Sequence, residues 1–362
     1  MNEAEIGEHK KFWNGEENSK PLVSFRLGNY FFATHFNAAK KLIVKGTKIR
    51  PEMIDVDSFL EDYEGMYNEV SSLGQSGIWT AEPYTGIPWM EAFWGCEISG
   101  SGESFTAGPY VKEAVDLDHL HFTMENPWVE KYFEFVKKLN VLSRGRFPVG
   151  APILRGQGDT LGALMGQTEF IYALYEEPLR IRKALGKIIE SFLEIYKEMH
   201  RLNGLFYGGS SMGFYHIWTP GKSLWFQDDI GALLSPGLYR EFLLENEKYI
   251  TSKYEYTLTH LHPSSFHLLD EMLGNEHLKA VEINKDVGGP SVEEMLPWYK
   301  KVLDKKRRLV VWGDLSREEL KLVFDNLKSS SGSPPLGIYF VMVLPDRESA
   351  KKILSYLNSE SH

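Results

Sequence analysis

The feature that most constrains the fold of this chain is an alternation of short apolar runs with longer stretches of helical periodicity. Eight runs are rich in β-branched and aromatic residues, as β-strands are. They occupy residues 22–26, 76–81, 149–155, 203–209, 256–262, 279–284, 308–314 and 336–343. Between them, apolar residues recur at three- and four-residue spacing, which is typical of helices with one buried face. Eight strands alternating with helices predict an α/β protein of the (β/α)8 or TIM-barrel type.

A doubly wound open sheet is the competing fold, but the sequence has no GxGxxG phosphate-binding turn after its first strand. At 362 residues the chain is long enough for two domains, yet α/β barrels reach this length as one. We therefore predict a single barrel domain over residues 1–362. The stretch from about 82 to 147 is long for one strand-to-helix connection, and we expect an insertion there, between strands 2 and 3, over the barrel mouth. The Ser-, Gly- and Pro-rich stretch 329–335 predicts a linker.

Charge and cysteine content narrow the function classes. Lys and Arg number 40 against 50 Asp and Glu, so the net charge is −10, and no strongly basic segment suggests nucleic-acid binding. The single cysteine, Cys96, permits no internal disulfide, which fits a cytoplasmic protein. The sequence has no run of about 18 apolar residues, and the first residues have no apolar signal segment. We therefore expect neither a membrane span nor secretion.

Three serines precede helical patterns and predict helix N-caps. Ser235, Ser291 and Ser316 are each followed by proline or by acidic residues in the next turn. A serine hydroxyl at this position accepts a hydrogen bond from a free backbone N–H of the first helical turn. We therefore expect helices to begin directly after these three residues.

In a barrel, the chemistry belongs where strands end and loops begin. Many of the predicted strand ends carry polar side chains. They are Arg26, Glu82, Tyr84, Arg155, Asp159, Asp228, Asp229, His260, His262, Glu282, Asp286 and Asp314. Any one of them could be a helix cap or an ion-pair partner, but their recurrence at successive strand ends favours a functional site.

His260 and His262 end the fifth predicted strand and point to the same face, because side chains alternate along a strand. Two imidazoles at such a place are suited to one divalent metal ion, and zinc would need a third ligand. Glu282 or Asp314, from the next two strands, is the expected third ligand. Hydrogen-bonded structural histidines are the alternative. The same spacing recurs at residues 119 and 121, His119 and His121, where we expect a surface role.

Arg26 and Arg155 are the candidate binders of an anionic substrate group, because guanidinium is a fixed, permanently charged donor. A buried ion pair with a nearby acid is the alternative. Asp228 is a further candidate for substrate binding. Asp228 and Asp229 precede a predicted helix, so one of them could instead be a structural cap.

Aromatic residues near the predicted strand ends suggest a substrate pocket with aromatic walls. The candidates are Tyr84, Trp225 and Trp312, with Trp225 in the stretch "SLWFQDD", which we interpret as a loop. The alternative is that these side chains pack into the core.

The stretch "WFQDDIGALLSPGLYREFLLENEKYI" resembles a segment of uroporphyrinogen decarboxylases, and is more similar to the cobalamin-dependent methyltransferase branch of that superfamily. "RGQGDTLGALMGQTEFIYALYEEP", "HLHPSSFHLLDEML" and "WGDLSREEL" follow the same order. The similarity covers residues from about 20 to 355. It implies a (β/α)8 barrel, in agreement with the strand pattern.

The decarboxylase's own site is only partly matched. Arg26 matches the first arginine of its substrate-binding motif, whereas Tyr30 stands at the second and Asp229 at a functional serine. In the methyltransferase branch, zinc is held by His-x-Cys and a later Cys. Here His260 and His262 match the first two ligands, with histidine for cysteine, and the third cysteine has no counterpart.

The resemblance implies an enzyme that transfers a methyl group between a small methylated substrate and a corrinoid carried by a partner protein. His260 and His262 would bind zinc or the substrate heteroatom, and Asp229 would be an acid or orienting group. The second hypothesis is a decarboxylase or lyase of the uroporphyrinogen decarboxylase type, anchored by Arg26 and Arg155. The third is a non-catalytic corrinoid- or tetrapyrrole-binding protein. A homodimer is compatible with each of these.

Overall fold

The computed structural model describes residues 3–327 and 336–359; the predicted linker 329–335 lies outside them. Thirteen α-helices lie within these described ranges. They are α1 (Glu3–Asn14), α2 (Leu60–Ser71), α3 (Trp89–Phe93), α4 (Pro127–Ser143), α5 (Gln157–Met165), α6 (Gln167–Glu176), α7 (Pro178–Asn203), α8 (Pro236–Tyr239), α9 (Glu245–Thr251), α10 (Leu269–Leu273), α11 (Val292–Asp304), α12 (Arg317–Leu327) and α13 (Arg347–Ser359).

The strands of the same ranges number eleven. They are β1 (Leu22–Leu27), β2 (Lys48–Ile49), β3 (Glu97–Gly100), β4 (Phe105–Gly108), β5 (Ser210–Met212), β6 (Ile217–Thr219), β7 (Ser223–Phe226), β8 (Tyr256–Leu261), β9 (Ala280–Asn284), β10 (Arg308–Gly313) and β11 (Ile338–Leu344).

The core of the molecule is a curled parallel sheet of six strands in the order β1-β11-β10-β9-β8-β7. Helices follow its strands, so the predicted α/β class is confirmed. The first, fifth, sixth, seventh and eighth predicted strands correspond to β1, β8, β9, β10 and β11. Residues of β9 and β11 are all buried, as expected of a parallel sheet covered on both faces.

The second and third predicted strands are not regular strands. Segments 76–81 and 149–155 form only isolated parallel bridges, Ala81 with Val149 and Arg155 with Gln227. Pro148 and Pro152 lack a backbone N–H, which interrupts a regular ladder.

Side chains replace part of this missing ladder beside β1. Ser76 Oγ accepts from Val23 N at 2.7 Å, and Gln75 Oε1 accepts from Phe25 N at 2.9 Å. A continuous eight-stranded ladder is therefore not present among the described residues.

The fourth predicted strand, 203–209, is wrong. Helix α7 continues to Asn203, and positive φ angles at Gly204, Tyr207 and Gly208 turn the chain into the β5–β6 hairpin. Its place beside β8 is taken by β7, which arises from the "SLWF" stretch interpreted as a loop. Glycine at positions 204 and 208 permits this turn, because glycine readily adopts positive φ angles.

The long connection between residues 82 and 147 has structure of its own. It contains α3, α4 and the strands β3 and β4, which pair with β2 in a small antiparallel sheet. Trp89 on α3 packs edge-on against Tyr132 on α4, with ring centroids 5.3 Å apart. A helix long and apolar enough to cross a membrane is not found among the described residues.

Candidate metal site

His260 and His262 lie side by side at the carboxyl end of β8. His260 belongs to the strand, and His262 has an extended backbone directly before a 3-10 helix that starts at Pro263. Their ring centroids are 4.5 Å apart and the rings are nearly perpendicular. The alternation of a strand therefore brings both imidazoles to one site.

Asp229 is the third member of this group. It follows β7 and begins a short 3-10 helix, Asp229–Leu233. Its Oδ1 atom lies 3.7 Å from His260 Nε2 and 4.0 Å from His262 Nε2. One ligand-capable atom from each of the three residues lies within 4.8 Å of the others. We call Asp229, His260 and His262 the ligand triad.

Each imidazole of the triad is held from behind by a carboxylate. His260 Nδ1 donates to Glu282 Oε2, and the two residues are register partners in β8 and β9. His262 Nδ1 donates to Asp286 Oδ1 at 2.6 Å, and Asn284 Nδ2 donates to the same oxygen at 2.5 Å. A carboxylate on Nδ1 fixes both ring orientation and tautomer, which leaves Nε2 to face a metal ion.

Electrostatics favour a positive charge at this place. Burial by itself would lower the pKa of His260, but the facing Glu282 carboxylate outweighs it and, with Asp229 and Asp286, raises the pKa to about 9. Glu282 is completely buried and also accepts from Tyr215 Oη at 3.2 Å. A proton or a metal cation between these carboxylates would be stabilised by the same field.

The ligand triad fits a divalent metal ion by its donor chemistry. Two imidazole nitrogens and one carboxylate oxygen are a common set for zinc, and three protein ligands leave a coordination position for substrate. The 3.7 and 4.0 Å separations approach the roughly 3.4 Å expected between ligands of a tetrahedral zinc site.

The expected third ligands lie elsewhere. Glu282 is behind His260 rather than beside it. Asp314 has a side chain that is 57% exposed and pairs with Lys285 at 3.4 Å. Asp229, expected to act as an acid or orienting group, stands in their place, because β7 rather than segment 203–209 neighbours β8.

Arg26 forms the buried ion pair that was its alternative interpretation. It lies 3.1 Å from Glu82, donates to Phe214 O at 2.7 Å, and stacks 4.4 Å from the Phe214 ring. Burial raises the pKa of Glu82 to about 7, although Arg26 opposes the shift. Little of Arg26 is left to bind an anionic substrate group.

Arg155 is in a different situation. Its Nη1 donates to the fully buried Glu91 at 2.6 Å, while 43% of its side chain stays exposed. The pKa of Arg155 is raised by Glu91 first and also by Asp159 and Asp229. Arg155 also forms an isolated bridge with Gln227, whose side chain donates to Asp229 of the triad. It therefore retains donors for an anionic group close to the site.

The aromatic candidates are core residues. Tyr84 is fully buried and donates to Ala33 O at 2.9 Å, and Trp225 donates to Ala151 O at 3.2 Å. Trp312 is 7% exposed and stacks on Phe214 at 5.9 Å. Tyr84 and Trp225 therefore support the packing alternative, and Trp312 contributes little surface to a pocket.

Asp228 also has a structural environment. Its Oδ1 atom accepts from Gly158 N at 2.7 Å and Asp159 N at 2.9 Å, so it caps α5 rather than facing the triad. His119 and His121 belong to no metal-capable cluster within the described ranges.

Sequence reasoning missed the contributions of Tyr215, Gln227 and Asn284. Gln227 Nε2 donates to Asp229 Oδ2 at 2.9 Å. Asn284 had a detectable signal, because it lies two residues after Glu282 and so shares its face of β9. Tyr215 had none, since the β5–β6 hairpin that carries it was not predicted.

No protein-family model and no curated protein sequence matches this chain. Among solved structures, it is similar to a methyltransferase from Methanosarcina mazei, with a TM-score of 0.63, 14% sequence identity and 96% of each chain covered. A type I 3-dehydroquinate dehydratase from Clostridium difficile aligns with a TM-score of only 0.29, 13% identity, and coverage of 54% of this chain and 88% of that one. The first likeness shows a shared methyltransferase-like fold over nearly the whole length; the second supports no inference.

Proposed function

We propose that this protein is a metal-dependent methyltransferase that moves a methyl group between a small methylated substrate and a corrinoid carried by a partner protein. The observation that carries the proposal is the ligand triad, with both imidazoles oriented by carboxylates. The fold shared with a protein named a methyltransferase supports it. We also propose that the chain belongs to the uroporphyrinogen decarboxylase superfamily. Segments 76–81 and 149–155 would then take barrel positions without forming regular strands, and segment 82–147 would be inserted over the barrel mouth.

Zinc bound by Asp229, His260 and His262 would supply Lewis acidity toward the heteroatom of the substrate. Glu282 and Asp286 hold the two imidazoles in the orientation that this requires. Arg155, anchored by its bond to Glu91, would orient an anionic part of the substrate near the triad. Such positioning brings the reacting atoms into line before any bond changes.

The decarboxylase hypothesis needs arginines that are free to anchor substrate carboxylates. Arg26 is engaged by Glu82 and by Phe214 O, so only Arg155 retains that capacity. The triad also has no required role in a decarboxylase that depends on arginine anchors. Metal-dependent methyl transfer gives a role both to the ligand triad and to the carboxylates that orient its imidazoles, so we favour it over decarboxylation.

The test has two measurements on protein purified without a chelator. Metal analysis should find about one zinc or similar ion per chain. Methyl transfer from methylcobalamin, or to cob(I)alamin, should be detected by the change in corrinoid absorbance. His260→Ala and His262→Ala should each lose the metal and the activity. His119→Ala and His121→Ala, which alter the exposed pair of the same spacing, should retain both. Absence of metal from the unaltered protein, or unchanged activity in the His260 and His262 variants, would refute the proposal.

A further inference from the structure

Two aspartates next to the ligand triad exchange backbone hydrogen bonds. Asp228 accepts from the first turn of α5, at Gly158 N (2.7 Å) and Asp159 N (2.9 Å). Asp159 in turn accepts from Asp229 N (2.9 Å) and Ile230 N (2.7 Å). We call this reciprocal pair, Asp159 and Asp228, the carboxylate clasp.

The clasp joins two stretches of chain at the site. One is the start of α5, which follows segment 149–155, and the other is the start of the 3-10 helix Asp229–Leu233, which follows β7. Between them, Gly156 N donates to Gln227 O at 2.6 Å, next to the isolated bridge of Arg155 and Gln227. The backbones approach so closely that a methyl group at position 156 would lie 2.4 Å from Asp228 Oδ2. The same methyl group would lie 2.7 Å from Gln227 O, so both the Asp228 side chain and the Gln227 backbone require glycine there.

The backbone of Asp229 is fixed by this arrangement, because its N–H is one of the clasp's donors. Its side chain is fixed separately, since Gln227 Nε2 holds Oδ2 at 2.9 Å. Only Oδ1 then remains directed at His260 and His262. Without these contacts, a side chain that is 41% exposed would sample other rotamers.

We infer that Asp159, Asp228 and Gln227 are positioning residues of the metal site. They bind no metal themselves, and they hold Asp229 so that one of its oxygens completes the ligand set. This inference rests on the proposed metal-binding function. It extends that function to three residues outside the triad, one on α5 and two directly before Asp229.

The decisive variant is Asp159→Asn, because an amide can accept only one of the two backbone hydrogen bonds. We expect its affinity for Zn²⁺, measured by competition with a chromophoric chelator, to fall by about tenfold or more. The visible spectrum of the Co²⁺-loaded variant should change as well, since the carboxylate ligand is displaced. Asp116→Asn is the matched control: that carboxylate also accepts two backbone bonds, from Lys112 N and Glu113 N, on a remote 3-10 helix. It should keep unaltered Zn²⁺ affinity.

Gln227→Met gives an independent test if Asp159→Asn does not fold, since it leaves the clasp intact and frees only Asp229 Oδ2. It should weaken Zn²⁺ binding severalfold with an unchanged melting temperature. Unaltered Zn²⁺ affinity in a folded Asp159→Asn or in Gln227→Met would overturn the inference and leave the proposed function standing. Failure of the unaltered protein to bind Zn²⁺ or Co²⁺ would overturn both.

Discussion

At the scale of single residues, the site shows how two neighbouring strands supply two different roles. His260 on β8 and Glu282 on β9 are register partners. Two residues further along each segment, His262 Nδ1 and Asn284 Nδ2 lie 3.3 Å apart. The periodicity of two thus places the candidate ligands along one strand and the residues that support them along the adjacent one. In the proposed metal site the supports should matter as well as the ligands, because an imidazole without a partner on Nδ1 can rotate.

Removal of the carboxylate behind His260 provides a direct test at this scale. In Glu282→Gln the amide cannot stabilise the imidazole as the carboxylate does, so Zn²⁺ affinity should fall by about 10- to 100-fold. Asp314→Asn alters a carboxylate directly after β10, the strand beside β9, where Asp314 pairs with Lys285. This variant should bind Zn²⁺ like the unaltered protein. Isothermal titration calorimetry distinguishes the two. A loss of binding in Asp314→Asn instead would restore Asp314 as the third ligand.

Tyr84 gives a second prediction, about stability rather than activity. Tyr84→Phe leaves the buried Ala33 carbonyl without its hydrogen bond and should lower the free energy of unfolding by about 1–2 kcal/mol. Turnover should not change, because the hydroxyl is enclosed in the core. Tyr172→Phe is the control, since Tyr172 is 63% exposed, and urea denaturation measures both. A loss of turnover without a loss of stability would return Tyr84 to the substrate site.

At the scale of secondary-structure elements, helix starts follow local chemistry. Ser235 and Ser291 cap α8 and α11 as predicted, and Ser316 accepts from Glu319 N at 3.2 Å before α12. Each cap depends on residues within one turn. The three caps can therefore be predicted from the sequence without knowledge of the tertiary structure.

The capping box at α11 can be tested by itself. Ser291 Oγ accepts from Glu294 N at 3.3 Å, and Glu294 Oε2 accepts from Ser291 N at 2.8 Å. Ser291→Ala should therefore cost about 1 kcal/mol of unfolding free energy. Thermal unfolding followed by circular dichroism measures the change, with Ser19→Ala, at an exposed serine that caps no helix, as the comparison. Equal stability of the two variants would contradict the structural role of this cap.

At the scale of the whole molecule, burial raises the pKa of several carboxyl groups. Burial raises the pKa of Glu247 to about 7, against the opposing effect of the Tyr239 hydroxyl that donates to it. The folded state then keeps a proton that the unfolded chain releases near pH 4.5. Because the folded state binds more protons in that interval, its stability falls as pH rises from about 4.5 to 7.

The resulting pH dependence is our fourth prediction. The unaltered protein should lose on the order of 2 kcal/mol of unfolding free energy through Glu247 over that interval. Glu247→Gln should flatten the pH profile, whereas Glu245→Gln, at a 75% exposed side chain on the same helix, should not. Denaturant titrations at a series of pH values provide the measurement. An identical profile for Glu247→Gln would show that its carboxyl is not the group responsible.

The sequence by itself determined the α/β class, five of the strands, three helix caps and the shared face of His260 and His262. All of these depend on periodicity or on contacts within one turn, which a linear pattern contains. Tertiary structure decided which strand lies beside β8, and through it that Asp229 rather than Glu282 or Asp314 faces the imidazoles. That choice depends on the pairing of β7 with β8, whose residues are about 30 apart in the chain. In segment 203–209, the turn that leads into the β5–β6 hairpin outweighs the local strand propensity.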